Sequence, residues 1–322
     1  MKTKLLLAAL ICGSATMFAS DLKQGQLSNV TRVTSDKAAR YENPVWSPDG
    51  QQIAFNTEGY NGLYLLNPKT KAVKTLSTDN GIGYMMQWSA DGHEILVRDT
   101  RWISTASGVS RTHAAFSINT ANGNKIRLSD DAADLKPAAW RYDAKGRKTI
   151  VCNAKVRPMS LAAVPAARLG VKNAAAPKAN CGISFVEDFE NLYVVDQTGN
   201  KRILYAGPAF NAQLSPDGTK VVFNAMDDIY VCNLDGSAKR KLAVGFRPQW
   251  AGNSQIIYER TSDNGHTYTA GDLYILNIAG GTEKALTQSR DRIEMFPAVS
   301  PDGSKIAFVS NTDGQLYIAD LK

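Results

Sequence analysis

The sequence predicts an all-β fold: a six-bladed β-propeller of four-stranded antiparallel blades, its ring closed by an N-terminal strand. Three observations carry this reading: a turn motif recurs with the same strand on each side, a second strand signature follows each copy, and a segment near the N-terminus matches the strand that the last copy lacks.

The turn motif is an apolar residue followed by Ser-x-Asp-Gly. It occurs as Trp46-Ser-Pro-Asp-Gly50, Trp88-Ser-Ala-Asp-Gly92, Leu214-Ser-Pro-Asp-Gly218 and Val299-Ser-Pro-Asp-Gly303, each before an alternating run such as Ile53-Ala-Phe55 or Val221-Val-Phe223. Degenerate copies start at Trp140 and Trp250. Proline presets φ near −65°, aspartate bonds back to its own backbone, and glycine takes the positive φ that returns the chain as a hairpin. Repetition turns a weak local signal into a fold.

Each copy is followed by an apolar residue, an aromatic, two mostly apolar residues and Asn or Asp, as in Leu63-Tyr64-Leu-Leu-Asn67, Ile229-Tyr230-Val-Cys-Asn233 and Leu316-Tyr317-Ile-Ala-Asp320. A short Lys-rich strand comes next, as in Lys239-Arg-Lys-Leu242, and lysine suits an exposed edge because it resists pairing with another chain. The last unit stops at Lys322 after its third strand. Residues 28–34, Ser-Asn-Val-Thr-Arg-Val-Thr, read as the missing fourth strand and close the ring.

A chain of 322 residues with 43% hydrophobic and 21% charged residues is too well mixed for disorder, and a repetitive all-β fold holds that length as one unit. Lys2 and Lys4, an apolar run from Leu5 to Ile11 and the small residues Gly13, Ser14 and Ala15 read as a signal peptide over residues 1–20. The run is too short for a transmembrane anchor. Residues 21–322 are then a single propeller domain, periplasmic or secreted. Losing Lys2 and Lys4 lowers the formal charge from +7 to +5, too little to argue for nucleic acid, which an exported protein rarely meets.

The Ser-Pro-Asp-Gly turns and the aromatic third-strand signature resemble the propeller of the TolB family, over nearly all of residues 21–322. The resemblance implies a periplasmic binding propeller that docks an envelope protein, in the family the peptidoglycan-associated lipoprotein. TolB-like proteins also carry a small α/β domain before the propeller, which the twenty or so residues between leader and first blade do not supply.

Chemistry is expected where loops from second to third strands, and those between blades, gather around the channel. Long inserts fall there at Arg98 to Thr112, Lys155 to Asn180 and Glu259 to Gly271. The segment 155–180 is rich in alanine and proline and holds five basic residues (Lys155, Arg157, Arg168, Lys172, Lys178) and no acid. It reads either as a solvated loop or as a basic flap. The candidate ligand contacts are Arg98, Arg101, Trp102 and Arg111 in the blade-two loop, with Lys136, Arg247, Arg290 and Arg292 between blades. Guanidinium groups grip carboxylates in pairs, and tryptophan offers apolar area at small entropic cost. An envelope protein, a peptide or an anionic glycan is the expected ligand, held by a monomer without cofactor or catalytic residue. The inter-blade residues Tyr41, Tyr84, Met85, Phe210, Phe246, Met295 and Phe296 either pack between blades or line the mouth.

The rival class is a propeller enzyme such as a lyase of uronate polymers. Three histidines, His93, His113 and His266, without His-x-x-His or His-Glu-x-x-His spacing, point away from a metal site. Cys152 and Cys181 bracket the basic segment and read either as two free buried thiols or as a pair formed in an oxidising compartment, a bond that stabilises by about 3–4 kcal/mol. Non-reducing digestion of protein taken from the periplasm is expected to yield a linked Cys152 and Cys181 peptide pair; alkylation of both thiols would contradict the pairing.

Overall fold

In the computed structural model, the described residues are 27–322 apart from 106–107, 134, 143–147, 153–154, 159–182, 188–189, 197 and 282. The signal segment 1–20 and Cys181 lie outside them. The described chain is strands and turns throughout, and no helix is long and apolar enough to cross a membrane.

The N-terminal strand β1 (Leu27–Arg32) precedes the first blade, β2 (Tyr41–Trp46), β3 (Ile53–Thr57), β4 (Asn61–Leu66) and β5 (Val73–Ser77). The second is β6 (Gln87–Trp88), β7 (Glu94–Thr105), β8 (Gly108–Asn119) and β9 (Lys125–Arg127). The third unit comprises β10 (Ala139–Tyr142), β11 (Lys148–Cys152), β12 (Lys155–Pro158), β13 (Ser184–Glu187), β14 (Asn191–Val195) and β15 (Lys201–Ala206). Two further blades are β16 (Phe210–Leu214) to β19 (Arg240–Val244), through β17 (Lys220–Ala225) and β18 (Asp228–Asn233), and β20 (Phe246–Ala251) to β23 (Glu283–Ala285), through β21 (Gln255–Asp263) and β22 (Tyr268–Asn277). The last holds β24 (Glu294–Val299), β25 (Lys305–Ser310) and β26 (Gln315–Leu321), with β1 as its outer strand.

Closure is therefore as the sequence predicts. β1 runs antiparallel to β26, with Leu27 opposite Leu321 and Arg32 opposite Tyr317. The Val33 N–H donates to the Leu316 carbonyl at 2.9 Å, and the Leu316 N–H donates to Thr34 Oγ1 at 2.9 Å.

Two expectations need correction. The third unit does not form one sheet: after β11 the chain returns at once as β12, so the start of the 155–180 segment is a strand, and β13, β14 and β15 form a second three-stranded sheet. The stretch from Arg98 to Thr112 is not a loop either. β7 and β8 pair without interruption from Glu94 opposite Asn119 to Thr105 opposite Gly108, a hairpin long enough to stand over the channel. The alternation of charged, hydroxyl and aromatic residues in Arg98-Asp-Thr-Arg-Trp102 supports that extension, because each face of a strand takes every second residue.

The turns fold as their chemistry dictates. In each Ser-x-Asp-Gly copy the serine hydroxyl donates to the aspartate Oδ1 at 2.6 Å, and the glycine N–H returns to the serine carbonyl. The glycines sit at φ 67° to 74°, a region that other residues enter only at a cost. Behind the turns, second- and third-strand aromatics stack across the ladder, Phe223 on Tyr230 at 5.8 Å and Phe308 on Tyr317 at 5.7 Å.

The core is a ring of clusters between neighbouring sheets, such as Phe55 and Trp46 of the first blade against Val309 and Leu316 of the last. Tryptophan fixes these interfaces. Trp46 Nε1 donates to the Ala298 carbonyl, Trp88 to Val45, Trp140 to Gln87 and Trp250 to Gln213, all at 3.0–3.1 Å and each across to the inner strand of the preceding sheet.

Inner strands share one further device, three residues before that anchor. Asn43, Met85, Asn211, Arg247 and Phe296 all hold φ between 50° and 57°, and four of the inner strands slip register there as bulges. A side chain in this region costs on the order of 1 kcal/mol, and the freed N–H groups find acceptors on the preceding sheet: Arg247 donates to Asn224 Oδ1, Phe296 to Glu259 Oε2 and Ala212 to Glu187 Oε1. In the third unit the position is Pro137, whose ring forbids positive φ, and β10 pairs with β11 without a slip.

Deleting residues 27–34 leaves β26 as an open edge and removes several ladder hydrogen bonds worth about 1 kcal/mol each. A lower melting temperature and concentration-dependent self-association are expected in thermal scans and sedimentation; unchanged values for both would contradict ring closure by β1.

Candidate functional site

A cavity of about 850 Å³ opens at the channel mouth. It is built by Gly59 to Asn61 in the β3–β4 turn, the inter-blade residues Asn80, Gly81, Tyr84 and Met85, the β7–β8 hairpin, Ala133 and Leu135 to Pro137 of the next inter-blade stretch, Glu187 at the end of β13, and Pro208 to Phe210 before and in β16. Hairpin turns and inter-blade segments thus meet on one face, as expected.

Strand alternation selects which hairpin residues reach it. Arg98, Thr100 and Trp102 on β7 share a face, and their cross-strand neighbours on β8 include His113 opposite Thr100 and Arg111 opposite Trp102. All five line the cavity. Trp102 is 69% exposed, an unusual state for a residue of that size without a partner. Arg98 is half-buried: its guanidinium stacks over Tyr84 at 4.9 Å, Nη1 donates to the Leu135 carbonyl at 2.7 Å, and its buried Nε has no partner among the described residues. Tyr84 in turn meets Tyr60 edge to face at 5.1 Å.

Four of the eight candidate cations and aromatics are brought together here: Arg98, Trp102, Arg111 and Lys136. Arg101 is not. One residue out of phase, it lies on the opposite face, where Nε meets Asp99 Oδ2 at 3.3 Å and the guanidinium covers Phe116 at 5.5 Å, in a network with Lys125. Pairing Arg101 with Trp102 in one patch fails because neighbours on a strand point apart. Arg247 is spent within the fold: Nη1 meets the buried Glu259 at 2.5 Å and the guanidinium stacks on Phe296 at 4.0 Å. Arg292 pairs with Asp291 and with Glu294. Arg290 is exposed, and neither it nor Arg292 lines the cavity. Cys152 is buried at the end of β11, while its expected partner lies outside the described residues.

Sequence reasoning missed Glu187, the lone carboxylate among the described residues that line the cavity. Burial raises its pKa to about 7, although its carboxylate accepts from the N–H groups of Ala212 and Asn211. The only signal was positional, since Glu187 lies opposite Leu192 as Asn224 lies opposite Ile229 and Glu259 opposite Leu273, the residues that open the third-strand signature. Burial, followed by Tyr84's neighbour Glu187, raises the Tyr84 hydroxyl. Burial and then Arg98 and Arg111 depress His113, so it is neutral at pH 7 and shares a hydrogen bond with Thr100 Oγ1 at 3.0 Å. Among the described residues no three His, Cys, Asp or Glu side chains converge as a metal site requires. The arrangement holds two arginines and a lysine around aromatic walls, suited to gripping an acidic, partly apolar ligand.

An acid whose folded pKa lies above its ordinary value of 4.5 favours the folded state when protonated, and that contribution is lost as pH rises from about 4.5 through about 7. Glu187→Gln keeps the acceptor without the charge. The variant's melting temperature is expected to match the parent's near pH 4 and to exceed it increasingly toward pH 7.5; a constant difference across that range would contradict a buried, protonated Glu187.

No protein-family model matches the chain. A stretch of 117 residues is 32% identical to a Protein TolB homolog of Chlorobium luteolum, covering 34% of this chain and 26% of the relative, so the match spans about a quarter of that protein's length. The structure of a putative TolB from Agrobacterium tumefaciens aligns over 91% of this chain and 97% of its own, at 17% identity and a TM-score of 0.50. The β-propeller domain of Cps50 (Swd1) from Myceliophteria thermophila aligns over 92% and 99%, at 14% identity and a TM-score of 0.55. At such identities the structural likenesses speak for the fold alone. The partial sequence match and the superposition together support one reading, and the chain is a TolB-like β-propeller.

Proposed function

We propose that this chain is a non-catalytic binding module of the cell envelope that holds an acidic segment of an envelope protein or peptide, or an anionic glycan, at its channel mouth. One observation carries the reading: Arg98, Arg111, Lys136 and the exposed Trp102 converge on a cavity of about 850 Å³ whose described lining residues include a single acid, Glu187. Cations on a concave, partly apolar wall raise the local concentration of acidic ligands and grip them once seated. The aromatic wall supplies area, and the arginines supply charge-assisted hydrogen bonds.

The likeness to TolB supports a binding role, and the leader-like residues 1–20 support export to the periplasm. No fixed nucleophile or metal cluster is needed for this task. The chain works as a monomer, its one mouth presenting one site.

The double variant Trp102→Ala, Arg111→Ala removes the two exposed contacts. Stability is expected to change by about 0.5 kcal/mol or less, since neither side chain is in the core. Capture of the partner from envelope extract is expected to weaken by about tenfold or more, and to weaken in the parent as salt rises. Arg101→Ala, on the opposite face, is expected to capture as the parent does. Equal capture by the double variant, or turnover of a polyuronate by the purified parent, would overturn this function.

A further inference from the structure

We propose that the inner edge of β7, from Arg98 to Ser104, is a strand-addition site that takes an extended acidic segment of a partner protein across the channel mouth. This rests on the binding reading above and deepens it by naming how the ligand is held.

β6 meets β7 only at Ile95 and Leu96. Beyond them β7 continues to Thr105 with β8 as its partner on one side, and the twelve-residue pairing carries no bulge. Backbone groups therefore alternate strictly between the two edges. The Glu94 carbonyl accepts from Ser89 N at 2.8 Å, on the β6 side, and Leu96 pairs with Gln87 on that side. By the same period of two, Arg98, Thr100, Trp102 and Ser104 turn their N–H and C=O groups to the inner edge. Among the described residues no hydrogen bond reaches the main chain of those four. A row of outward N–H and C=O groups is a template for another strand, and proteins commonly cover or charge such an edge.

The same residues decide what can dock. The side chains of Arg98, Thr100 and Trp102 line the cavity beside this edge, with Arg111 across the ladder. A strand added along β7 places alternate side chains over that wall, where carboxylates meet Arg98 and Arg111 and an apolar residue meets Trp102. Two other occupants are disfavoured by charge. A second copy paired edge to edge would bring Arg98, Arg101 and Arg111 against their own kind. The chain's own segment 155–180 has five basic residues and no acid. An acidic strand from another protein satisfies both the open backbone and the cationic wall.

The test uses the mature protein and an acetylated, amidated peptide of alternating glutamate and valine, about ten residues long. Ser104→Pro removes one outward N–H without breaking a rung to β8, and Ser104→Ala keeps it. Peptide affinity is expected to fall about tenfold or more in Ser104→Pro and to stay at the parent's value in Ser104→Ala. Hydrogen exchange at the Thr100, Trp102 and Ser104 amides is expected to slow when the parent binds peptide, a readout that stands even where Ser104→Pro fails to fold. Should Arg111→Ala lose the peptide while Ser104→Pro keeps it and those amides stay fast, strand addition is overturned and the binding reading survives. No binding to the parent overturns strand addition, and the capture experiment above then judges the binding reading separately. A dimer of the parent that Ser104→Pro dissolves overturns it in favour of a second copy.

Discussion

Pairing of Leu27–Arg32 with Gln315–Leu321 is the contact on which the rest of this molecule depends. A propeller buries apolar surface only between adjacent sheets, so each sheet needs a neighbour on both sides. Were the ring open, the first and last blades would lose the cluster of Phe55, Trp46, Val309 and Leu316 that joins them. Thr34 and Val33 extend the seam beyond the ladder by bonding the Leu316 backbone in both directions. Chain termini far apart in sequence are thereby held in one sheet, and the channel acquires a fixed circumference.

Within that circumference the spacing of blades is set by directional contacts as well as by packing. Each indole that reaches the preceding inner strand satisfies its own N–H and a carbonyl in one bond, which a phenyl ring could not do. The bulges three residues earlier then turn the chain toward the axis. Their strain is sustained because a freed N–H meets an acceptor on the neighbouring sheet, as Phe296 meets Glu259. These acceptors are buried carboxyl and amide groups, and one of them, Glu187, also borders the cavity. A structural role and a place in the site thus fall on the same residue, and burial gives it a pKa near neutrality.

The cavity owes its character to one hairpin. By running on past β6, β7 and β8 lift Arg98, Thr100, Trp102, Arg111 and His113 over the mouth as two facing rows. Had the segment been a flexible loop, ordering it on binding would cost entropy for every residue fixed. As a ladder it is already organised. The other arginines near the axis contribute little to ligand charge, because Glu259 and Glu294 neutralise Arg247 and Arg292 from within.

Much of the architecture was legible because it is local chemistry repeated. Ser-Pro-Asp-Gly can fold only as a turn of this kind, the alternating runs beside it can only be strands, and Ser28 to Thr34 had an evident vacancy to fill. Trp46, Trp88, Trp140 and Trp250 share one position of the repeat, and each uses it to reach a carbonyl on the preceding sheet. The site was legible as a list of residue types, and Arg98, Trp102, Arg111 and Lys136 do meet. What no local rule conveyed is direction and pairing. Arg101 sits beside Trp102 in sequence and behind it in space, since a strand sends neighbours to opposite faces. Arg247 looks like a ligand contact until the fold sets Glu259 against it. Glu187 carries no motif, and only the closing of the ring over it makes it part of a cavity and moves its proton. The sequence by itself determined the repeat, the turns and the closing strand; which charges remained for a ligand was decided by tertiary contacts, because burial and pairing are properties of neighbours that are distant along the chain.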